Sequence, residues 1–412
     1  MHDVSGSTLK KRIYGNEYKY VQEVLDTQFC TSQSSRMMTR LEQAFADRFG
    51  ISYAISHING TATMHSVLEA IGVGPGDEVI VPPLTMASTS FVVLQTGATP
   101  VFADVESDTF QINPESVLER ITGHTKAIIT VALFGLSPDM DKIMEIAEKY
   151  SLLVIEDNAE CFLGEYKGRL AGTLGHAASF SFQSSKHLTA GEGGMTITND
   201  PELALRIRRI VSLGYAGVGA GKGKISRSEI QEPNYSRHIQ LGWNYRMPEL
   251  CAAVALAQVE NIDALVQRRI DVANLFSDVI EDISWLVPQF VGPGYKHVYW
   301  TWVIKIDDPE ISWYDFRNKF IELGGDGIYG TWKLTYQEPM FQEKNFLGRE
   351  KFISQENLDS YQAGLCPVAE DLQTKLLQFK TNYWDFSAAL KQAEILKQTI
   401  DFFTNWRRGL EK

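Results

Sequence analysis

Cysteine is scarce and scattered in this chain of 412 residues: Cys30, Cys161, Cys251 and Cys366 form no Cys-x-x-Cys pair. That spacing argues against a disulfide framework and against a cysteine-built zinc cluster, so no metal is expected and a reducing cytoplasm is the expected setting. Uninterrupted apolar runs of membrane-spanning length are also lacking, and the opening MHDVSGSTLKKR carries no apolar stretch behind its basic residues. Neither a membrane anchor nor a secretory leader is expected. Nor is there an excess of positive charge: 39 Lys and Arg stand against 51 Asp and Glu, for a formal net charge of -12. Such a balance argues against a nucleic-acid partner, although a local basic site for a phosphorylated ligand is compatible with an acidic surface. Internal repeats and low-complexity tracts are missing too.

What is present is an ordinary globular composition, 44% hydrophobic and 22% charged. It supplies ample material for a core, in two or three domains or in one large domain with an appendage. The run YAISHINGTATMHSVLEAIGVGPGDEVIVPP reads as strand, helix, strand, with Gly74-Pro75-Gly76 closing the helix. The alternation returns through PVFADV, a helix from Pro114 to Ile121, KAIITVALFG, a helix after Pro138, and LLVIEDNAE. Near-continuous Val, Ile and Leu strands between helices predict an α/β fold, a mostly parallel sheet covered on both faces, with ligands at the carboxyl ends of its strands. Past Gly242 the texture changes to one long helical pattern, PELCAAVALAQVENIDALVQRRIDVANLF, then YWTWVIKI, a helix near WYDFRNKFIELGG and a last helix ending ILKQTIDFFTNWRRG. The expected organisation is a large domain over 1–245, a connecting helix over 246–280 and a small α+β domain over 281–412.

Three segments fall at the expected carboxyl edge. In INGTATMHS a Gly-Thr-Ala turn opens a helix, so its free amides and the Thr61 hydroxyl suit a phosphate, or the turn is a plain Asn-Gly turn and helix cap. In LLVIEDNAE, Glu156 and Asp157 end a buried strand, where a carboxylate is unfavourable without a cation or donors; capping and chemistry are both open. In SFSFQSSKHLTAGEGG, Lys186 follows a strand and precedes a glycine-rich turn, either as a solvated group or as a reactive amine. Together, a helix mouth, a strand-end carboxylate and a loop lysine are the parts that hold pyridoxal phosphate: the carboxylate keeps the ring nitrogen protonated and the lysine forms the Schiff base.

With NGTAT, DEVIVPPLTMAST, PVFADV, VIEDNAE, FSFQSSKHLTAGEGG and LGWNYRMPELCAAVALAQ in this order, the chain resembles the pyridoxal-phosphate sugar aminotransferases of the DegT/DnrJ/StrS family, of the fold-type-I aspartate aminotransferase architecture. The resemblance implies that Lys186 is the Schiff-base lysine and that Asp157 pairs with the pyridine nitrogen. It implies further that Gly60, Thr61, Ala62 and Ser181 surround the cofactor phosphate and that Asn244 reaches the cofactor of a neighbouring subunit, in a homodimer with shared active sites. Two positions depart from the family's usual pattern. Met86 stands where an aromatic residue commonly covers the cofactor ring, and a thioether offers less flat contact. Glu160 stands where Gln or His approaches the cofactor's phenolic oxygen; an ionised carboxylate would repel a phenolate, so Glu160 is expected to be protonated or turned toward another partner.

The related deoxysugar dehydratases carry His in place of the lysine, so Lys186, followed by His187, implies transamination. The expected reaction passes an amino group from L-glutamate or L-glutamine through pyridoxamine phosphate to a nucleotide-linked keto-deoxysugar, with ping-pong kinetics. A ketocyclitol aminotransferase, a pyridoxal-phosphate sugar dehydratase and a non-catalytic regulator on the same fold are the alternatives. In GYAGVGAGKGKISRSE, which matches no dinucleotide fingerprint, Lys222, Lys224 and Arg227 either close over a diphosphate or belong to a solvated loop. His187, His297, Trp300 and Tyr336 are candidate pocket residues, each equally consistent with packing.

Overall fold

The computed structural model describes residues 11–29, 35–221, 228 and 231–410. Its centre is a seven-stranded sheet built from β1 (Tyr53–His57), β2 (Glu78–Val81), β3 (Thr99–Phe102), β4 (Thr125–Val131), β5 (Leu153–Asp157), β8 (Ala177–Ser181) and β9 (Gly194–Thr198), in the order β1-β9-β8-β5-β4-β2-β3. The short strands β6 (Glu165–Tyr166) and β7 (Arg169–Leu170) form a hairpin outside it. From β3 to β8 every pairing is parallel, whereas β9 runs antiparallel to both β8 and β1. Strands such as TKAIITV and LVIED are buried along almost their whole length because helices cover both faces, which explains their runs of Ala, Ile, Val and Leu.

The expected connecting helix is two helices, Glu249–Glu260 and Ile262–Ile280. The ladder breaks at Asn261, whose φ of -116 and ψ of 14 lie outside the helical region. The first of the two carries small apolar residues on most sides and is correspondingly buried, packed against the N-terminal helices Glu17–Asp26 and Met37–Phe49. A cluster of Phe45, Phe162, Phe180 and Phe182 joins those helices to the sheet.

Beyond residue 281 the chain serves two cores. Strands β10 (Leu286–Pro288), β12 (Thr301–Ile306), β13 (Tyr329–Gly330) and β14 (Leu376–Lys380) make an antiparallel sheet in the order β10-β12-β14-β13, while β11 (Tyr295–Lys296) pairs with β6. Trp302, Phe316, Phe379 and Phe403 fill the space between that small sheet and helices Trp313–Glu322 and Phe386–Leu410. Residues between β13 and β14 return to the large sheet instead. There Tyr336, Phe341 and Tyr361 pack around Phe102, with ring centroids 5.3, 5.6 and 5.7 Å away. Among the described residues no helix is long and apolar enough to cross a membrane.

Candidate active site

The carboxyl ends of β1, β5 and β8 converge on one cavity of about 360 Å³. At its first wall, Asn59 follows β1 and caps the helix Gly60–Ala70, its side chain accepting the Ala62 amide at 2.8 Å. The cap aims the first turn's unladdered amides at the cavity. Two glycines allow this seating. A Cβ on Gly60 would lie 2.8 Å from the Cβ of Ser181 at the end of β8, and one on Gly194 would lie 2.6 Å from the Asn59 carbonyl. The helix mouth is thereby pressed between two strand ends, with Thr61 and Ser181 on the cavity surface.

Adjacent residues on β5 face opposite sides of the sheet. Glu156 points away from the cavity and accepts the amides of Gly172, Leu174 and Gly175 at 2.7, 2.7 and 2.6 Å, so it caps a loop. Asp157 lines the cavity, accepting from the Thr89 hydroxyl at 3.1 Å and the Ala159 amide at 3.2 Å. Burial pushes the Asp157 carboxyl up to about 6; the Ala159 amide and the Lys186 charge oppose that rise. A carboxylate so placed gains from any cation brought against it.

Lys186 lies in a turn whose backbone is held from outside. The carbonyls of Ser185 and Lys186 accept from the Arg269 guanidinium at 2.6 and 2.8 Å, Arg12 donates to those of Ser184 and Lys186, and the Trp300 indole N–H donates to Ser185 at 3.0 Å. Burial pulls the Arg269 guanidinium well below its usual range and lowers that of Arg12 to about 10. With the turn fixed, the Lys186 side chain points inward. Its Nζ sits 3.1 Å from Glu160 Oε1 and 4.1 Å from the centre of the Trp300 ring.

Glu160 thus pairs with Lys186. Its Oε2 accepts the Phe134 amide at 3.0 Å. Phe134 has a φ of 63, an unfavourable conformation for a bulky residue, and its surroundings enforce it. Its carbonyl accepts the Trp300 amide at 2.8 Å, and its ring stacks on Trp332, which stacks in turn on Trp300.

Comparison with known proteins agrees with this geometry. The model of the DegT/DnrJ/EryC1/StrS aminotransferase family matches residues 11–378. The chain belongs to this family. It is 38% identical over 304 residues, 73% of this chain and 77% of the relative, to a GDP-perosamine synthase of Caulobacter vibrioides. It is 36% identical over 286 residues, 69% of this chain and 74% of the relative, to a GDP-perosamine synthase of Escherichia coli O157:H7. A solved aminotransferase from Psychrobacter cryohalolentis superposes with a TM-score of 0.81 at 30% identity, covering 94% of this chain and 96% of that one.

This aminotransferase uses pyridoxal phosphate, and its cavity fits that group. The N-terminus of the Gly60 helix opens on the cavity beside Thr61 and Ser181 and suits a phosphate, Asp157 suits the pyridine nitrogen, and Lys186 suits the aldehyde. Of the residues expected from sequence, Gly60, Thr61, Met86, Asp157, Glu160, Ser181, Lys186 and Trp300 line the same cavity. Ala62 is buried one residue further into the helix, where its amide is taken by Asn59. Asn244 is exposed, bridged to Ser212, and lies off this cavity.

Three expected pocket residues lie elsewhere in the aminotransferase. His187 is wholly buried with Nε2 at 2.8 Å from the Val298 carbonyl, and burial pulls its imidazole well below the usual range. His297 is held by Gln289 at 2.9 Å and stacked on Tyr299, lowered by burial to about 3. Tyr336 is buried against Phe102 with its hydroxyl donated to Glu370. Lys222, Lys224 and Arg227 lie outside the described residues. Sequence reading missed Thr89, Arg12, Arg269 and Trp332. Arg269 had a signal: it shares a helical face with Leu265, Val266, Val272 and Ala273, where a guanidinium must find buried acceptors.

Proposed function

We propose that this aminotransferase moves an amino group from L-glutamate or L-glutamine to a nucleotide-linked keto-deoxysugar, in the cytoplasm and as a homodimer with shared active sites. The observation that carries the reading is the Lys186 amine, held at 3.1 Å from Glu160 inside a cavity that Asp157 backs and the Gly60 helix opens. Bound pyridoxal phosphate supplies the electron sink that makes the donor's α-proton removable. The Lys186 amine, once displaced by the donor, would take that proton as general base and deliver it back in the reverse half-reaction. Asp157 would hold the ring-nitrogen proton, Gly60, Thr61 and Ser181 would bind the phosphate, and Glu160 and the Trp300 face would position the lysine amine while it is free. The named relatives, GDP-perosamine synthases, support a GDP-linked substrate.

The dimer reading is supported by the exposed, apolar surroundings of Asn244, in which Ile239, Leu241 and Trp243 are 50%, 83% and 39% exposed. Such a patch on a soluble chain favours association with a second copy. Incubation with L-glutamate labelled with 15N at the α-amine and a GDP-linked 4-keto-6-deoxyhexose is the test. Mass spectrometry should find the label in the sugar. A deoxygenated sugar without label would contradict transamination and favour the dehydratase reading.

A further inference from the structure

We infer that a second cavity, on the far side of Trp332 from Lys186, is the seat of the substrate's nucleoside diphosphate, with Lys333 against the phosphates and Glu338 reading a guanine base. This rests on the nucleotide-sugar reading above and adds to it a location and a base preference. The second cavity encloses about 380 Å³ and shares Thr85, Met86 and Trp332 with the first. Ligand sites generally span about 300–1,000 Å³. A first cavity of about 360 Å³ that must take the cofactor and the reacting sugar leaves a nucleotide to extend beyond it. The shared wall makes the second cavity its continuation.

Both walls of this continuation are fixed. Trp332 is locked in a parallel ring column, 6.1 Å from Phe134 and 5.9 Å from Trp300. Two residues after Lys333, the Thr335 amide and hydroxyl both donate to the Pro83 carbonyl, at 3.1 and 3.3 Å, and tie the segment to the loop that carries Thr85 and Met86. Gln342 ties it again by donating to the Tyr336 carbonyl at 2.6 Å and the Tyr361 carbonyl at 2.9 Å. A preorganised wall of this kind lowers the ordering that binding requires.

The chemistry of the lining matches the two halves of the ligand. Lys333 is exposed and has no carboxylate within ion-pair distance among the described residues, so its ammonium is available to a diphosphate beside the shared wall. Phe91, Met340 and Trp332 offer apolar and aromatic faces to a base. Glu338 is half-buried, and its carboxylate has no hydrogen-bond or ion-pair partner among the described residues. Two carboxylate oxygens match the adjacent N1–H and 2-amino donors of guanine. Uracil and thymine present one N–H between two carbonyl oxygens, which a carboxylate repels.

Calorimetric titration of the cofactor-loaded enzyme with GDP, UDP and dTDP tests this, comparing wild type with Lys333→Ala and Glu338→Gln; absorbance-determined cofactor content shows that each variant is folded. Wild type should prefer GDP. Lys333→Ala should weaken GDP and UDP alike by about tenfold, whereas Glu338→Gln should weaken GDP by about tenfold and tighten UDP, whose carbonyl oxygens the carboxylate no longer repels. Nucleotide binding that survives both substitutions unaltered would overturn the location while leaving the nucleotide-sugar reading standing. Failure of wild type to bind any of the three would overturn both.

Discussion

Glu156 and Asp157 are neighbours in the chain and almost equally buried, 3% and 5% exposed, yet they have opposite roles. On one side of the sheet Glu156 is saturated: three amides and the Asn158 side chain supply its donors, and none of its charge is left for a ligand. On the other side Asp157 has two long hydrogen bonds and faces the cavity. Burial raises both carboxyls. The difference lies in what each face provides. A loop folded over Glu156 makes it a structural cap, whereas the open site beside Asp157 leaves a buried charge waiting for a partner.

Breaking the structural side should give the largest effect. Glu156→Ala strands three buried amides and should lower unfolding free energy by about 3–5 kcal/mol, read by denaturant titration; a change under about 1 kcal/mol would mean that the loop finds other acceptors. Asp157→Asn should do the reverse to stability. In the cofactor-free protein the folded state binds the Asp157 proton more tightly than the unfolded state does, because the carboxyl rises from 3.8 to about 6. Its contribution to stability is present below pH 3.8 and lost as pH rises through 6, so above pH 6 the cofactor-free variant should be more stable than wild type by about 2–3 kcal/mol. The two should converge below pH 4. Turnover of the same variant should fall by about 100-fold or more, and a variant that keeps its activity would place the ring-nitrogen partner elsewhere.

Glu160 sharpens the comparison, because it is a third carboxylate that already has its cation. Glu160→Gln keeps the shape and removes the charge beside Lys186 Nζ. Acetylation of Lys186 in the cofactor-free protein, followed by peptide mass spectrometry at pH 8, should become several-fold faster, since the amine is no longer held at 3.1 Å by a carboxylate. Equal labelling rates would show that the carboxylate does not govern the lysine.

Much of this site was legible because the strands are buried on both faces. Apolar runs such as Leu152 to Ile155 marked where strands end, and Gly60, Asp157, Ser181 and Lys186 sit at or past those ends. Which of two adjacent carboxylates served the site was legible only through the family resemblance, which points to Asp157: on residue chemistry alone Glu156 and Asp157 differ only in which face the pleat gives them, and the loop over Glu156 comes from residues 172–175. Contacts across long separations were equally hidden. Arg12 and Arg269 reach the Lys186 turn from distant segments, and Trp332 meets Trp300 only once the chain between β13 and β14 folds back on the large sheet. His297 and Tyr336 gave no signal to separate packing from binding, and in the fold both are core residues with satisfied polar atoms.

The central claim, that the Lys186 amine captures pyridoxal phosphate and hands it back during transamination, is tested most directly by absorbance. Purified protein with pyridoxal phosphate should show the visible band of lysine-bound cofactor, and L-glutamate should convert it to the pyridoxamine form, while Lys186→Ala should show only free cofactor. The same spectrum from wild type and variant, unmoved by glutamate, would contradict the account.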